Sequence, residues 1–156
     1  MTSLAPRLRD ATAYDRPGIE ALLHAADLPT AGLDDAFLVV AADERGALVG
    51  TAGLEVWGAS GLLRSVAVAG SARGRGLGRT LVRRIEEAAR ERGVAEIALL
   101  TTTAAPFFTA AGWVERPRAE ASPALQRSRE WGENVCPGSA RFLVKELRPH
   151  GSQRRP

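Results

Sequence analysis

The stretch Val66-Ala-Val-Ala-Gly-Ser-Ala-Arg73-Gly74-Arg75-Gly76-Leu77-Gly78-Arg79 decides the fold. Its first residues read as the end of a strand, its middle is a glycine-rich turn, and its last residues open an amphipathic helix. Glycines let a backbone close around an anion, and the free N–H groups of a helix N-terminus favour negative charge there. Arg73, Arg75 and Arg79 add permanent positive charge. The stretch is therefore predicted to bind a phosphate or a pyrophosphate.

Two better-known phosphate-binding loops do not match this stretch. A P-loop requires Gly-x-x-x-x-Gly-Lys-Ser/Thr, and the only lysine of the chain is the distant Lys145. A dinucleotide-binding fingerprint requires glycines at its first, third and sixth positions. Gly74 and Gly76 match the first two of these, but the sixth position is Arg79. The sequence therefore indicates a different kind of phosphate site.

Length and composition predict one globular domain. The chain has 156 residues, of which 45% are hydrophobic and 25% are charged, values typical of a soluble domain with its own core. We expect a single domain over residues 1–147 and a disordered basic tail over residues 148–156. Cys136 is the only cysteine, and no segment reads as a targeting peptide or a membrane span. The prediction is a reduced, cytoplasmic protein without a membrane partner.

The hydrophobic pattern predicts an α+β domain whose mixed, mostly antiparallel central sheet is flanked by helices. A capping-box-like pair, Thr12 and Asp15, precedes a first helix. An apolar face at helical spacing runs from Leu77 to Ala89, and Gly93 ends that second helix. Strands are expected around Leu8 and over residues 37–42, 47–57, 62–69, 95–100, 113–115 and 141–147, with a short helix over 104–111. No regular element is predicted for residues 117–138.

The positive charge of the chain is unevenly distributed. Lys and Arg number 21 against 18 Asp and Glu, a net charge of +3, with an isoelectric point near 9.9. Six arginines lie in one stretch without an acidic residue: Arg64, Arg73, Arg75, Arg79, Arg83 and Arg84. Without them the rest of the chain is acidic on balance. The sequence thus predicts a local anion site, and nucleic-acid binding is not expected.

The pattern Arg-x-x-Gly-x-Gly from Arg73 to Gly78, directly after Val-Ala-Val, resembles the acetyl-coenzyme A loop of the GNAT family of N-acetyltransferases. The resemblance extends from Arg7 to about Leu147 and implies the acyl-CoA N-acyltransferase fold, acetyl-CoA as cosubstrate and no metal. It implies that the backbone of Val66, Ala67 and Val68 pairs with the pantetheine arm. It also implies a pyrophosphate site made by Gly74, Arg75, Gly76, Leu77 and Gly78, with Arg73 and Arg79 beside it.

Two positions depart from the common family pattern. Many GNATs carry a glutamate where this chain has Leu62, and a tyrosine where it has Phe108. The run from Leu99 to Trp113 resembles the acetyltransferase domain of bacterial N-acetylglutamate synthases. Small GNATs of arsenic-resistance operons are more similar still, because they share Leu-Leu-Arg-Ser at 62–65, Leu-Thr-Thr-Thr at 100–103 and Cys-Pro-x-Ser-Ala at 136–140. By this resemblance the Thr101 hydroxyl would protonate the departing thiolate; the alternative is that three threonines simply end a strand.

Candidate substrate and base residues follow from the strands. Simple alternation would place Arg64 on the same face as Val66. A guanidinium in an apolar strand needs an internal carboxylate or an anionic substrate such as a carboxylate, phosphinate or arsinate, and we expect the substrate. Ser139 and Arg118 are weaker candidates for the same role. Glu55 is the one carboxylate within residues 47–69, either a base acting through water or a solvated surface glutamate.

The sequence therefore predicts an acetyl-CoA-dependent N-acetyltransferase that acts by direct transfer. Its acceptor would be the primary amine of a small, anionic, amino-acid-like molecule, with detoxification in arsenic resistance as the setting. Two alternatives stay open, namely acetylation of a protein or peptide and a non-catalytic acyl-CoA-binding sensor. The resemblance also leaves room for a homodimer. A Cys-His nucleophile pair is not expected, because His24 and His150 are the only histidines, and no residue cluster has metal-ligand spacing.

Overall fold

The computed structural model of the chain describes residues 5–131 and 139–147. The strands are β1 Arg7–Asp10, β2 Phe37–Ala42, β3 Leu48–Trp57, β4 Ser60–Val68, β5 Glu96–Thr101, β6 Val114–Arg116 and β7 Arg141–Glu146. The α-helices are α1 Arg16–Ala25, α2 Leu77–Glu91 and α3 Ala105–Ala110. Short 3-10 helices cover Ala13–Asp15, Leu33–Asp35, Gly70–Ala72, Arg118–Glu120 and Leu125–Arg127. Cys136 and the predicted tail 148–156 lie outside the described residues.

Within the described residues the strands form one sheet in the order β1-β2-β3-β4-β5-β7-β6. Each neighbouring pair is antiparallel except β4 and β5, which are parallel. Helix α2 connects these two parallel strands, as a crossover between them requires. The predicted α+β architecture with a mixed, mostly antiparallel sheet is confirmed. None of the described helices is long and apolar enough to cross a membrane.

The two faces of the sheet are covered by different helices. Helix α2 buries its apolar side, including Leu81 and Ile85, against Leu54 and other residues of one face. Helix α1 buries Ile19 and Leu23 on the opposite face. In both helices the apolar residues recur at helical spacing, so each has one apolar side to bury against the sheet.

The predicted capping box lies at the 3-10 helix Ala13–Asp15, which leads directly into α1. Arg9 donates to both carboxylate oxygens of Asp15 (2.7 and 3.0 Å), and the Thr12 N–H donates to the same carboxylate (2.7 Å). These hydrogen bonds, that of Arg9 first, lower the pKa of Asp15 to about 2. Pro17 lies in the first turn of the helix, where its missing N–H has no partner to lose. The capping carboxylate therefore ties β1 to the start of α1.

Residues 117–131 cover the α1 side of the sheet beyond the end of α1. Leu125 is fully buried against Leu62, Ala98 and Phe142. The Trp131 ring packs edge to face on Phe142, with centroids 5.3 Å apart. Residues 117–131, which show no periodic pattern in the sequence, are therefore fixed to the sheet by separate apolar side chains such as Leu125 and Trp131.

Strands β4 and β5 separate along their length. Their pairing comprises Ser60 with Glu96, Gly61 with Ile97 and Leu62 with Ala98, and it ends there. Strand β4 nevertheless continues to Val68. Along its other edge, β5 pairs with β7 up to Thr101. The second half of β4 thus has no strand partner on the β5 side, and a cleft opens between the two strands.

A β-bulge at Ser65 reverses the side-chain alternation of β4. Gly53 of β3 pairs with Arg64 and Thr51 pairs with Ala67, so that two residues of β4 oppose one of β3. Ser65 has a φ of 60°, the kind of strained backbone that such a bulge contains. Arg64 therefore lies on the α1 side of the sheet, whereas Val66 packs with the α2 cluster. The prediction that Arg64 and Val66 share a face is wrong, because one extra residue shifts every later side chain.

Candidate functional site

The cleft between the diverging halves of β4 and β5 has a volume of about 480 Å³. Residues Leu63–Val66 form one wall, and residues Leu99–Ala104 form the other. The turn after α1, with Asp27 and Pro29, also lines the cleft, as do Phe108, Glu130 and Ala140. The cleft is thus bounded by the two strands that topology separates, with polar groups of β4, β5 and a distant loop converging on it.

The glycine-arginine loop forms a second concave region, of about 590 Å³, next to the cleft along β4. Gly74 and Gly76 have φ values of 83° and 78°, which only glycine adopts without strain. A Cβ at either position would meet no atom within 4 Å, so the space above the loop is open. Val68 lines this region and Val66 lines the cleft, so one strand connects the two.

The backbone N–H groups of this loop and of the first turn of α2 are not used by the helix itself. The first hydrogen bond of α2 runs from the Thr80 N–H to the Gly76 carbonyl (3.1 Å). In the part of the chain that the structure describes, no hydrogen bond uses an N–H between Gly74 and Arg79. Unpartnered N–H groups at a helix N-terminus form an anion site. The loop therefore has the donors that the sequence predicted for a phosphate.

The arginines of the basic stretch do not all surround the loop. The Arg73 side chain donates from Nε to the Val68 carbonyl (3.0 Å) and stays at the loop, and Arg79 also lines the loop region. Arg84 instead contacts Asp10 (3.5 Å), and Arg64 is buried on the other side of the sheet. The expectation of one basic patch made by six neighbouring arginines is wrong, because helix and strand geometry turns them to different faces.

Arg64 is held by carboxylates inside the protein. Its Nη1 donates to Oε2 of Glu55 at 2.7 Å, and its Nε lies 3.4 Å from Oε2 of Glu130. Glu55 is 1% exposed and also accepts a hydrogen bond from Nε1 of Trp57 (2.8 Å). Of the partners considered from the sequence, the internal carboxylate is present, and Glu55 is not a solvated surface residue. Arg64 nonetheless still lines the cleft.

Glu130 is a site residue that the sequence analysis missed. It is 4% exposed, yet it lines the cleft beside Arg64. Burial raises its pKa to about 7, against the lowering effect of Arg64 and with a further rise from Glu55. Its N–H donates to the Ser128 hydroxyl (3.1 Å). No periodicity or motif in residues 117–138 could have singled it out, because only the folded chain brings this segment to β4.

Thr101 lies at the end of β5 and lines the cleft. Its Oγ1 accepts a hydrogen bond from the Ala104 N–H (2.9 Å), which caps the turn into α3. A hydroxyl that accepts through a lone pair keeps its own proton to donate. Both readings of Thr101, as the end of a strand and as a proton donor, are therefore compatible with one geometry.

Two of the remaining positions, Ser139 and Arg118, do not line the cleft. Ser139 is exposed, and the neighbouring Ala140 is the residue that lines the cleft. The Arg118 guanidinium stacks over the Trp131 ring at 5.1 Å. Phe108, at the position where many GNATs have tyrosine, is buried and lines the cleft. In the described ranges no group of three or more His, Cys, Asp or Glu residues is arranged to hold a metal ion.

Sequence comparison gives one family match. The model of the acetyltransferase (GNAT) family matches residues 7–113. This span includes β1 to α3 and ends at Trp113, so it contains both walls of the cleft and the glycine-arginine loop. No curated protein sequence matches the chain significantly.

Solved structures share the fold. N-acetylglutamate synthase from Neisseria gonorrhoeae, complexed with coenzyme A and L-arginine, has a TM-score of 0.76 and 21% identity over 92% of this chain, which spans 33% of that protein. Rv2747 from Mycobacterium tuberculosis, also complexed with CoA, has a TM-score of 0.75 and 23% identity. The match covers 91% of this chain and 99% of that protein. A GNAT-family acetyltransferase from Staphylococcus aureus Mu50 has a TM-score of 0.75 and 15% identity. The match covers 92% of this chain and 100% of that protein.

At these identities the structures show the fold, which confirms the predicted acyl-CoA N-acyltransferase architecture. The closer resemblance to proteins of arsenic-resistance operons stays a prediction. Because the family match covers more than half of the chain, the chain belongs to the GNAT family of acetyltransferases.

Proposed function

We propose that the protein transfers the acetyl group of acetyl-CoA directly to the primary amine of a small, anionic, amino-acid-like acceptor. The observation that carries the proposal is that one strand, β4, lines both the cleft, through Val66, and the region of the glycine-arginine loop, through Val68. An extended thioester can lie against the unpaired half of β4 with its phosphates at the N-terminus of α2. Its reactive end would then meet the converging polar groups of the cleft.

The residues at the loop fit acetyl-CoA as cosubstrate. The pyrophosphate would be held by N–H groups of Gly74, Arg75, Gly76, Leu77 and Gly78. Arg73 and Arg79 would add positive charge beside it. The backbone of Val66, Ala67 and Val68 would pair with the pantetheine arm, and the absence of a β5 partner beyond Leu62 supports this role. An adjacent β-strand edge and a helix N-terminus together suit an amide-containing arm that ends in phosphates.

An anionic acceptor is proposed because Arg64 lines the cleft and has donor capacity left. A guanidinium has five N–H donors. Those of Arg64 reach Glu55 Oε2 from Nη1, Ser65 Oγ (2.9 Å) and Glu130 Oε2 (3.4 Å) from Nε, and the Pro29 carbonyl (3.5 Å) from Nη2. Within the described residues, one N–H of each terminal nitrogen has no such contact. In this proposal Glu55 acts through Arg64 by fixing its orientation, and Ser139 lies at the cleft edge as a further contact for the acceptor.

The family relationship supports an amino-acid-like acceptor. The synthase from Neisseria gonorrhoeae has also been solved with coenzyme A and N-acetyl-glutamate, and it has a TM-score of 0.76 and 22% identity to this chain. The chain spans 36% of that protein. An acceptor of this class presents a carboxylate near its amine, and phosphinate or arsenical analogues present another oxyanion at the same place. Arsenic resistance or another detoxification is the setting that we propose for this activity.

The chemistry needs a donor for the thiolate, and Thr101 is proposed for that role. Its hydroxyl lies at the cleft end of β5, and the hydrogen bond from Ala104 occupies a lone pair of its oxygen. The proton is thus free to be directed into the cleft. General acid catalysis by a positioned group contributes about 10² to 10⁴ in rate.

Thiol release from acetyl-CoA tests this function. The panel contains L-glutamate, L-aspartate, their phosphinate and arsenical analogues, glutamate diethyl ester and a short peptide with a free N-terminus. We expect release that depends on an acidic acceptor, with the diester much slower. Faster release with the peptide would favour protein or peptide acetylation instead. Tight CoA binding without release for any amine would favour the non-catalytic sensor.

The Arg64→Lys variant tests the acceptor class within the same assay. Lysine keeps the positive charge but loses the planar fork that binds a carboxylate with two hydrogen bonds. We expect the KM for L-glutamate to rise about tenfold while the KM for acetyl-CoA stays unchanged. An Arg45→Lys change in the exposed turn between β2 and β3 is the control, and it should change neither KM.

A further inference from the structure

A buried cluster at the floor of the cleft contains one carboxylate more than it has guanidinium groups. Arg64 contacts Glu55 at 2.7 Å and Glu130 at 3.4 Å. The side chains of the three residues are 0%, 2% and 6% exposed, respectively. The shorter contact pairs Arg64 with Glu55, and Glu55 has Trp57 as a second donor. Glu130 is therefore the carboxylate whose charge is least compensated.

Glu130 also differs from Glu55 in its access to the cleft. Glu130 lines the cleft, whereas Glu55 lies behind Arg64 and does not line it. Asp27 lines the same cleft but is exposed to solvent. A base that takes a proton from the acceptor must reach the cleft, and burial makes a carboxylate a stronger base. Of the described carboxylates that line the cleft, Glu130 is the buried one.

We propose that Glu130 is the catalytic base, the group that takes the proton from the acceptor ammonium before the amine attacks the thioester. This inference rests on the proposed function. It assigns the base that the sequence could not supply, since Leu62 stands where many GNATs carry a glutamate.

The proton-transfer step balances as follows. One N–H bond of the acceptor ammonium breaks, and the proton moves to the Glu130 carboxylate, leaving a neutral amine and a neutral acid. The amine nitrogen forms a bond to the thioester carbonyl carbon, and the C–S bond breaks as the thiolate leaves. A second proton lost by the nitrogen reaches the thiolate through Thr101, so that Glu130 retains one proton, which it releases to solvent.

The electrostatic surroundings suit this role. Burial raises the pKa of Glu130 to about 7, with Arg64 lowering it and Glu55 raising it. An acid near this value can take and release a proton at neutral pH. The charged groups that face it are Arg64 of β4, Glu55 of β3 and Asp27 after α1. Its own segment contributes the exposed Arg129.

The Glu130→Gln variant tests the proposal in a pH profile of kcat/KM for L-glutamate or the fastest acceptor of the panel. We expect kcat/KM to fall about 10²-fold near pH 7 and the deficit to narrow as the pH rises towards about 9.5, where the free amine becomes abundant. The KM for acetyl-CoA should not change. The matched control is Glu120→Gln, an exposed glutamate of the same segment, which should keep the wild-type profile. An unchanged rate, or a loss that is equal at every pH, would overturn the proposal.

A second measurement is independent of turnover. In protein labelled with ¹³C at glutamate side-chain carboxyls, one resonance should titrate near pH 7 and should be missing from Glu130→Gln. If no such resonance exists, Glu130 is not the base. If no amine of the panel supports thiol release, the proposed function fails, whereas this titration still decides the protonation of Glu130.

Discussion

Arg64 of β4 and Glu55 of β3 form a salt bridge of 2.7 Å from which solvent is excluded. Glu55 pairs across the strands with Leu62, and Gly53 pairs with Arg64, so both side chains project from the same face of neighbouring strands. A Cβ at Gly53 would lie 2.9 Å from Cδ2 of Leu38 and 3.4 Å from Cγ of Arg64, so the glycine leaves room chiefly for Leu38 and lets Arg64 pack alongside. The pair therefore joins the sheet to the floor of the cleft, because Arg64 also contacts Glu130.

Arg64→Met should destabilise the protein strongly at alkaline pH. It leaves Glu55 and Glu130 buried without a cation, and breaking a buried ion pair typically costs about 3 to 5 kcal/mol. Urea unfolding at about pH 8 should show this loss as a lower midpoint with an unchanged slope. The double variant Glu55→Leu with Arg64→Met should recover part of it. A single variant as stable as the wild type would contradict the account of the pair.

Thr101→Val should reduce kcat, because it removes both the proposed proton donor and the acceptor for the Ala104 N–H. We expect kcat to fall about 10- to 100-fold and the free energy of unfolding to fall by about 1 kcal/mol. Thr101→Ser keeps the hydroxyl and should retain most of the wild-type kcat and most of the free energy of unfolding. The two quantities are measured by thiol release and urea unfolding. If Thr101→Val kept the wild-type kcat, Thr101 would not be the donor.

Gly76→Ala should weaken binding of coenzyme A at least about tenfold, because the new methyl group enters the space where a phosphate would approach the N–H groups. A residue other than glycine at this φ also costs about 1 kcal/mol of stability. Gly46→Ala is the matched control, since Gly46 has a φ of 82° and no atom within 4 Å of its Cβ position. In urea unfolding, Gly46→Ala should lose as much stability as Gly76→Ala. In calorimetry, it should bind coenzyme A with the affinity of the wild type. Equal affinities for the two variants would exclude the loop as the phosphate site.

Glu130→Gln should stabilise the protein at alkaline pH and leave it unchanged in acid. The pKa of Glu130 is raised from 4.5 to about 7, so the folded state binds this proton more tightly than the unfolded chain. The resulting stabilisation is complete below pH 4.5 and is lost as the pH rises through about 7. Above about pH 8 the variant should be more stable by up to about 3 kcal/mol. Thermal unfolding at several pH values measures this, and a pH-independent difference would argue against a buried carboxyl that titrates.

Local sequence patterns predicted most of the fold. Glycine spacing and helical periodicity predicted the loop from Arg73 to Gly78 and helix α2. Apolar runs on either side of the turn at residues 43–46 predicted β2 and β3. These signals depend on neighbouring residues alone. The bulge at Ser65 has no such signal, so the face of Arg64 was predicted incorrectly. Glu130 was missed for a different reason, because its environment is created by strands distant in sequence.

The most direct test of the central claim is transfer of a labelled acetyl group from acetyl-CoA to an acceptor amine, followed by mass spectrometry of the acceptor. We expect the wild-type protein to yield an N-acetylated acidic acceptor and free coenzyme A in equal amounts. Gly76→Ala should yield much less at the same acetyl-CoA concentration, and Gly46→Ala should match the wild type. Release of coenzyme A without any acetylated amine, or no release from a folded protein that binds acetyl-CoA, would contradict the account.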